Sequence, residues 1–217
     1  MGGGESARAK ANPRSIPVAT DGVPWGTRAQ GLQGEGLSRM ENQLLIYSDP
    51  DRCIKCYACQ VACKQWHGIS AGGAARRRVI EQASGKFPNV TRVFYSLACM
   101  HCAEPECVRV CPAGALTKRD IDGIVVVDRN LCIGCHYCSF ACPYDVPTYD
   151  GGGLVKCDLC LSLGVDENGR PNPRCVATCP TQALYFGTRK EIEQTISDKE
   201  TRMHEAGRVP QSGFLHG

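Results

Sequence analysis

Aromatic residues and long apolar runs are both scarce in this sequence. Only 6% of the 217 residues are aromatic, and the longest suggestive apolar run is GIVVVD, at 123–128. A membrane-spanning helix needs about 18 or more consecutive apolar residues, so we expect no direct membrane span. The start of the chain also lacks the apolar stretch of a secretory signal, and the adjacent arginines at 76–78 lie too far in for a twin-arginine signal. The sequence predicts no targeting signal of its own and a cytoplasmic location.

Recognisable catalytic motifs are also missing. The sequence contains no GxSxG, no HExxH, no P-loop and no Rossmann glycine fingerprint. Its formal net charge of +3 is too weak to indicate a nucleic-acid partner. We therefore expect a protein that is not catalytic alone.

Cysteine, by contrast, is abundant, with 16 in the chain. A disulfide framework is typical of short secreted chains, which this sequence does not resemble. The cysteines instead form an internal repeat of four groups of four. The groups are Cys53, Cys56, Cys59, Cys63; Cys99, Cys102, Cys107, Cys111; Cys132, Cys135, Cys138, Cys142; and Cys157, Cys160, Cys175, Cys179.

The spacing within these groups indicates iron and sulfur. In CIGCHYCSFACP, at 132–143, three cysteines recur at intervals of three, and a fourth follows four residues later, before a proline. A tight CxxCxxC loop can wrap three thiolates around a cubane, whereas the fourth cysteine reaches the other cluster of a two-cluster ferredoxin. Such groups should therefore come in pairs, and the sequence predicts four [4Fe-4S] clusters. Zinc held by four cysteines is the competing interpretation, but it does not explain the shared Cys-Pro ending.

Several polar residues lie inside or beside the ligand loops. His101 and His136 are interpreted as neighbours that tune the clusters or as surface residues, because no cysteine position is vacant for them. Lys156 and Arg109 either stabilise reduced clusters or are solvated surface charges, and the sequence leaves both alternatives open.

Short β-rich runs separate the cysteine groups. QLLIY, VTRVFYSL, GIVVVD and ALYFG are predicted strands. Thr188 with Glu191 three residues later forms a capping-box signature, which predicts a short helix followed by a polar tail within 188–217. Residues 1–39 are rich in Gly and Pro and are predicted to be disordered or extended, so Met40 is a possible biological start.

At 97–160 the sequence reads LACMHCAEPECVRVCPAGALTKRDIDGIVVVDRNLCIGCHYCSFACPYDVPTYDGGGLVKCDLC. Over residues 43–190 it closely resembles the four-cluster iron-sulfur subunit of dimethyl sulfoxide reductase-type molybdoenzymes. The likeness includes the missing proline after the first group, where Lys64 follows Cys63. It implies an α+β fold of two tandem dicluster ferredoxin-like modules with long loops and a small apolar core organised around the clusters.

The resemblance also implies a division of the chain. An outer module takes 43–66 and 154–187, an inner module takes 97–150, and 67–96 is an insertion that contacts a partner. The implied ligands cross between groups. They are Cys53, Cys56, Cys59 with Cys179; Cys99, Cys102, Cys107 with Cys142; Cys132, Cys135, Cys138 with Cys111; and Cys157, Cys160, Cys175 with Cys63.

The function implied by the resemblance is electron relay between a membrane quinol or quinone subunit, or another donor, and a large molybdopterin-containing catalytic subunit. The alternatives are a free-standing polyferredoxin and a subunit of a hydrogenase or formate dehydrogenase complex. A third class is a zinc-stabilised nucleic-acid-binding module using the arginines at 76–78. Co-export with a twin-arginine partner would give a periplasmic or membrane-associated location instead of a cytoplasmic one. The substrate and the direction of electron flow depend on other subunits.

Overall fold

The computed structural model describes residues 42–207, which form a mixture of short strands and helices. Within this range the strands are β1 (Leu44–Ser48), β2 (Arg77–Lys86), β3 (Asn89–Ala98), β4 (Leu116–Lys118), β5 (Val125–Val127), β6 (Thr148–Asp150), β7 (Gly153–Val155) and β8 (Leu184–Thr188). The α-helices are α1 (Ala58–Trp66), α2 (Glu106–Arg109), α3 (Tyr137–Phe140), α4 (Arg174–Ala177) and α5 (Arg189–Glu205). The predicted extended segment at 1–39, Met40 and the tail at 208–217 lie outside the described residues.

The two ends of the described chain are joined by an antiparallel strand pair. Strand β1 pairs with β8 from Leu44 opposite Thr188 to Ser48 opposite Leu184. Both strands were predicted from their apolar, β-branched and aromatic residues, and Leu44 and Leu184 are buried. This pairing brings the first cysteine group beside the fourth.

A long hairpin occupies most of the segment predicted to be an insertion. Strands β2 and β3 pair over their whole length, from Arg77 opposite Ala98 to Lys86 opposite Asn89. The far half is exposed, and Phe87 at the tip is 92% exposed. The near half is packed into the protein, where Val93 and Ser96 are buried. The hairpin is therefore part of the core at its base and a projection at its tip.

The remaining sheets are small hairpins around the middle of the chain. Strand β4 pairs with β5, and β6 pairs with β7, over three residues each. Leu116, Val125 and Leu154 from these hairpins pack with Cys138 in one buried cluster. The two other buried clusters also contain cysteines, Cys157 in one and Cys59 with Cys175 in the other. The apolar core is thus built around the thiols.

The C-terminal helix confirms the predicted capping box but not the predicted length. The Thr188 hydroxyl accepts from the Glu191 N–H, and the Glu191 carboxylate accepts from the Thr188 N–H at 2.7 Å. The helix then runs for 17 residues, so the prediction of a short helix was wrong. The Lys199 ammonium, well beyond the first turn, binds Asp49 at 2.6 Å and also Asp51, and this tether supports the helix far from its cap.

Within residues 42–207, no helix is both long enough and apolar enough to cross a membrane.

Candidate iron-sulfur centres

The four cysteine groups share one backbone feature. In each group the residue before the second cysteine has a positive φ: Lys55 at 58°, His101 at 48°, Gly134 at 67° and Leu159 at 55°. Such conformations are uncommon for residues other than glycine. A left-handed residue in a turn directs successive N–H groups to one side and forms an anion-binding concavity. Each loop is therefore shaped to face a negatively charged group.

The first and third groups, which both have the spacing CxxCxxCxxxC, contain a second residue with positive φ. Tyr57 and His136, which follow the second cysteine of these groups, have φ values of 61° and 65°. Each residue also stands at the N-terminal boundary of the helix that follows, α1 or α3. The loops thus lead directly into the short helices that carry Cys59 and Cys138. This common geometry explains why the third cysteine faces the same space as the first two.

The first cavity lies at the β1–β8 end of the protein. It measures about 330 Å³ with the solvent space at its mouth. Its cysteines are Cys53, Cys56, Cys59 and Cys179. Three of these belong to the first group and one to the fourth. The remaining lining includes Val79, Ala183 and Leu184.

A second cavity of about 430 Å³ lies in the middle of the chain. Its lining contains Cys99, Cys102 and Cys107 of the second group, with Cys142 of the third. Cys138 also reaches this cavity. Leu116, Val125 and Leu154 form an apolar part of its lining.

A third cavity, of about 320 Å³, lies next to the second. Its cysteines are Cys132, Cys135, Cys138 and Cys111. Leu116 and Leu154 line both this cavity and the second, so the two spaces are neighbours. The Tyr149 hydroxyl hydrogen-bonds Cys138 Sγ at 2.9 Å, and the His136 ring lies 3.7 Å from the Tyr149 ring.

The remaining cysteines, Cys63, Cys157, Cys160 and Cys175, lie close enough to influence one another. Burial raises the pKa of Cys63 to about 12, and the nearby Cys175 and Cys160 thiols contribute to the increase. Burial, with Cys175 nearby, likewise raises the pKa of Cys157. The His67 Nε2 lies 3.5 Å from Cys160 Sγ. These thiols come together from three separate stretches of the chain.

Burial keeps many of the thiols protonated in the absence of metal. It raises the pKa of Cys107 and of Cys160 to about 11. A thiolate is the form that binds metal, so iron must displace these protons on binding. Backbone donors are already placed to stabilise the thiolates: the Leu159 N–H points to Cys157 Sγ at 3.4 Å and the Ala183 N–H to Cys179 Sγ at 3.2 Å.

The charged residues singled out from the sequence differ in their surroundings. Lys156 is 4% exposed, so the alternative of a solvated charge was wrong. Its ammonium donates to the Cys157 carbonyl at 2.7 Å and to the Val125 carbonyl. Arg109 is exposed and pairs with Glu106 at 2.7 Å, which fits a surface charge.

His101 is fully buried, so the possibility of a surface histidine was wrong for this residue. Its Nδ1 accepts from the Val125 N–H at 2.9 Å. Burial, reinforced by Lys156 and Lys118, holds the pKa of His101 well below its ordinary value. The ring is therefore neutral and fixes strand β5 against the second cysteine group.

Sequence reasoning missed the role of one arginine. The three arginines at 76–78 were considered as a possible phosphate contact, but none of them is a free surface charge. Arg76 pairs with Asp158 at 2.9 Å, and Arg78 pairs with Asp145 at 3.4 Å. Arg77 is 2% exposed and lies among the cysteines. A period-two strand pattern that places position 77 inward was the available signal.

The residues present fit [4Fe-4S] clusters. Each of the three cavities is lined by at least four thiols, the ligand type that iron-sulfur clusters require. The loops present N–H groups to the sulfurs, and two buried cations that pair with no carboxylate among residues 42–207, Lys156 and Arg77, lie nearby. Within residues 42–207, no three His, Cys, Asp or Glu side chains converge tightly enough to hold one metal ion.

Comparisons with known proteins agree with this chemistry. The profile of the 4Fe-4S dicluster domain family matches residues 90–189. The chain is 39% identical over 165 residues to the probable anaerobic dimethyl sulfoxide reductase chain YnfG of Escherichia coli strain K12, covering 71% of this chain and 78% of the relative.

Two further relatives extend the comparison to other substrates. A sulfite dehydrogenase subunit of Allochromatium vinosum is 38% identical over 175 residues, which cover 71% of this chain and 72% of the relative. The thiosulfate reductase electron transfer subunit PhsB of Salmonella typhi is 38% identical over 178 residues, which cover 78% and 90%. The chain belongs to the family of iron-sulfur electron-transfer subunits of dimethyl sulfoxide reductase-type molybdoenzymes.

Proposed function

We propose that this subunit relays electrons through four [4Fe-4S] clusters between a membrane quinol or quinone subunit, or another donor, and a molybdopterin-containing catalytic subunit. The single observation that carries the proposal is the lining of the cavities. Each of the three described cavities combines three cysteines of one group with at least one cysteine of another. When bound, such clusters supply one-electron redox chemistry. The protein's own task is to hold, bury and tune them.

The proposed ligand sets cross between the groups. They are Cys53, Cys56, Cys59, Cys179; Cys99, Cys102, Cys107, Cys142; Cys132, Cys135, Cys138, Cys111; and Cys157, Cys160, Cys175, Cys63. The first three sets are supported by the shared cavities. The fourth is supported by the mutual influence of its thiols on their pKa values.

The sets form two neighbouring pairs, which supports the proposal of two ferredoxin-like modules. In the outer pair, Cys59 and Cys175 pack in the same buried cluster. In the inner pair, Cys138 lines both cavities. The pairs meet where Cys99 packs against the cluster that contains Cys157. These contacts favour a continuous line with the Cys53 set at one end and the Cys132 set at the other.

Exposed apolar side chains lie beside the cysteines of both end sets. Ile54 is 60% exposed at the first, while Ile133 is 69% and Phe140 87% exposed at the other. Exposed apolar groups beside a redox centre suit contact with a partner protein. We assign these two surfaces to the electron donor and acceptor. The tip of the β2–β3 hairpin, with Phe87, is proposed as a third partner contact.

The test is purification from the native host. We expect a large molybdenum-containing chain to co-purify, and we expect about 16 iron and about 16 acid-labile sulfide per copy of this subunit, as four cubanes require. A monomer that carries the iron but binds no catalytic chain would favour a free polyferredoxin. Co-purification with a hydrogenase or a formate dehydrogenase would favour the other alternative, and a zinc-containing, iron-free protein would refute electron transfer.

Single substitutions of exposed apolar residues test the proposed contacts with partner proteins. Phe140→Ser and Phe87→Ser should reduce co-purification of a partner without changing iron content. Ile121→Ser is the matched control, because Ile121 is 74% exposed but lies in the β4–β5 turn, outside the surfaces assigned to partners. Equal retention of partners in all three variants would refute the assignment of these surfaces.

A further inference from the structure

In the part of the chain that the structure describes, Arg77 is a buried cation that pairs with no carboxylate. Its side chain begins strand β2, and the residue is 2% exposed. Among residues 42–207, no ion pair joins its guanidinium to an Asp or Glu. Removing a guanidinium from water costs several kcal/mol unless an anion lies close. The fold must therefore supply negative charge from another source.

The guanidinium is held in place by one serine. Its Nη1 donates to the Ser96 carbonyl at 3.1 Å and to the Ser96 hydroxyl at 2.9 Å. The same hydroxyl lies 3.2 Å from Cys59 Sγ. The other two nitrogens of Arg77, Nε and Nη2, are buried and have no hydrogen-bond partner within the described residues. Both nitrogens therefore keep N–H groups that no protein atom accepts from in the described structure.

The anions within reach are cysteine sulfurs from two proposed ligand sets. Burial alone lowers the pKa of Arg77, but Cys175, Cys157 and Cys59 outweigh it and raise the pKa overall. Arg77 in turn lowers the pKa of Cys59 and of Cys63 against the opposing effect of their burial. Cys59 belongs to the Cys53 set, whereas the other three thiols belong to the Cys157 set. Arg77 therefore interacts electrostatically with thiols of both sets, and Ser96 links it by hydrogen bonds to Cys59.

The two neighbouring arginines differ from Arg77 in how their charge is balanced. Arg76 and Arg78 each bind a carboxylate, Asp158 and Asp145, so their charge is balanced by a side chain. Only Arg77 of this triplet faces inward without such a partner in the described structure. A cluster with four thiolates carries a net charge of about −2 when oxidised and becomes more negative when reduced. The position of Arg77 matches that charge.

We propose that Arg77 is a counter-ion shared by the two clusters of the outer pair and that it raises the reduction potential of both. The inference rests on the proposed ligand sets. Net charge and hydrogen bonds to the sulfurs set cluster potentials, and a fixed positive charge favours the reduced, more negative state. Because Arg77 is always charged, this effect does not vary with pH. Because three of the four thiols that Arg77 influences belong to the Cys157 set, the reduction potential of that cluster should be raised more.

The experiment is a redox titration of the intact complex, followed by electron paramagnetic resonance. In Arg77→Gln we expect the reduced-to-oxidised ratio of the Cys157-set cluster, at a fixed ambient potential, to fall at least tenfold, which is about 59 mV for a one-electron couple. The Cys53-set cluster should shift in the same direction by less. The two clusters of the inner pair should keep their potentials.

Arg92→Gln is the matched control, because it removes the same charge from the same hairpin. Arg92 is largely exposed and pairs with Glu81 at 3.2 Å, so solvent screens it and all four potentials should stay unchanged. An unchanged outer pair in Arg77→Gln, or an equal shift of all four clusters, would overturn the proposal. If the wild-type complex shows no [4Fe-4S] signals, the proposed function itself fails.

Arg77→Lys covers the case in which the glutamine variant does not assemble. The ammonium keeps the charge but cannot span two sites as the guanidinium fork does. We expect one outer potential to stay close to the wild-type value and the other to fall. Pulsed resonance on wild-type complex labelled with [15N]arginine needs no substitution, and it should detect nitrogen coupling in the outer pair. A tenfold fall of the reduced-to-oxidised ratio of both outer clusters in Arg77→Lys, although the charge is kept, or no nitrogen coupling, would overturn the proposal.

Discussion

Cys111 and Cys132 line the same cavity, although Cys111 ends the second cysteine group and Cys132 begins the third. Between them the chain makes the β4–β5 hairpin, whose Leu116 lines the same cavity. The hairpin therefore returns the chain to the space that Cys111 already faces. Consecutive groups are interleaved and not separate.

Exchanging the last cysteine of a group tests this interleaving. Cys142→Ser should alter the signal of the cluster held by Cys99, Cys102 and Cys107, because Cys142 lines their cavity. Cys111→Ser is the reciprocal variant and should alter the cluster of the Cys132 set. Each signal is followed by electron paramagnetic resonance of the reduced protein. A selective change in the cluster of the substituted residue's own group would refute the crossed ligation.

Removal of iron should destabilise the whole subunit. Each of the three buried apolar clusters contains cysteines, among them Cys59, Cys138 and Cys157, so little core remains without the metal. We expect oxidative stripping with a chelator to remove most protease resistance and to weaken the circular dichroism signal. A stripped protein that resists trypsin as well as the holoprotein does would contradict this expectation.

Lys199 should be the main anchor of the C-terminal helix. Its ammonium binds Asp49, whose side chain is fully buried, and Asp51. Lys199→Met should weaken docking of the helix by about 3 kcal/mol, the lower end of the cost of breaking a buried pair. The Asp51 N–H still donates to Asp49 at 2.9 Å, which limits the loss. Hydrogen exchange of α5 amides measures the effect.

Arg189→Met is the control for Lys199→Met. Arg189 pairs with Glu193 on the exposed face of the same helix at 2.7 Å. Exposed pairs four residues apart contribute only about 0.3 to 0.5 kcal/mol. Equal losses of amide protection in both variants would show that Lys199 is not a special anchor.

The same anchor predicts how helix docking depends on pH. Burial alone lowers the pKa of Lys199, but the hydrogen bonds with Asp49 and Asp51 raise it above its ordinary value of 10.5. A group whose pKa is raised by folding contributes fully below its unfolded pKa and loses that contribution as the pH rises through its folded pKa. Docking should be constant near neutrality and weaken only above about pH 10.5. A helical dichroism titration of wild type against Lys199→Met should detect the difference.

The capping box offers a prediction with an internal control. Thr188→Ala removes the hydroxyl that accepts from the Glu191 N–H and should cost about 1 kcal/mol of helix stability. Thr195→Ala, in the middle of the same helix, should be neutral or slightly stabilising, because alanine is the better helix former. Exchange rates in the first turn of α5 distinguish the two. Equal effects would mean that the cap is not what fixes the helix start.

Much of the site could be predicted because cysteine spacing is a local property. The interval of three that places Cys132 and Cys135 in one loop needs only a turn, and the turn appears with Gly134 in the left-handed region. The strands around the cysteine groups could also be predicted from local sequence, because apolar and β-branched runs such as QLLIY indicate strands directly.

What the sequence could not reveal depends on distant contacts. From the sequence, Lys156 could have been a surface charge. In the structure it is buried, and its ammonium donates to the Val125 carbonyl in β5. Arg77 looked like one of three similar arginines, and only the pairing of β2 with β3 decides which of them faces inward. The contact that anchors α5 is likewise distant, because Asp49 lies 150 residues before Lys199 in the chain.

The β1–β8 pairing sets the order in which the polypeptide can mature. The cavities of the inner pair are complete once residue 156 has been synthesised, because none of their lining residues comes later. The cavity that contains Cys53 stays open until Cys179 and Leu184, the first residue of β8, have been synthesised. Iron delivered during synthesis would therefore fill the middle of the subunit first, and the earliest cysteines in the chain would be among the last to receive it.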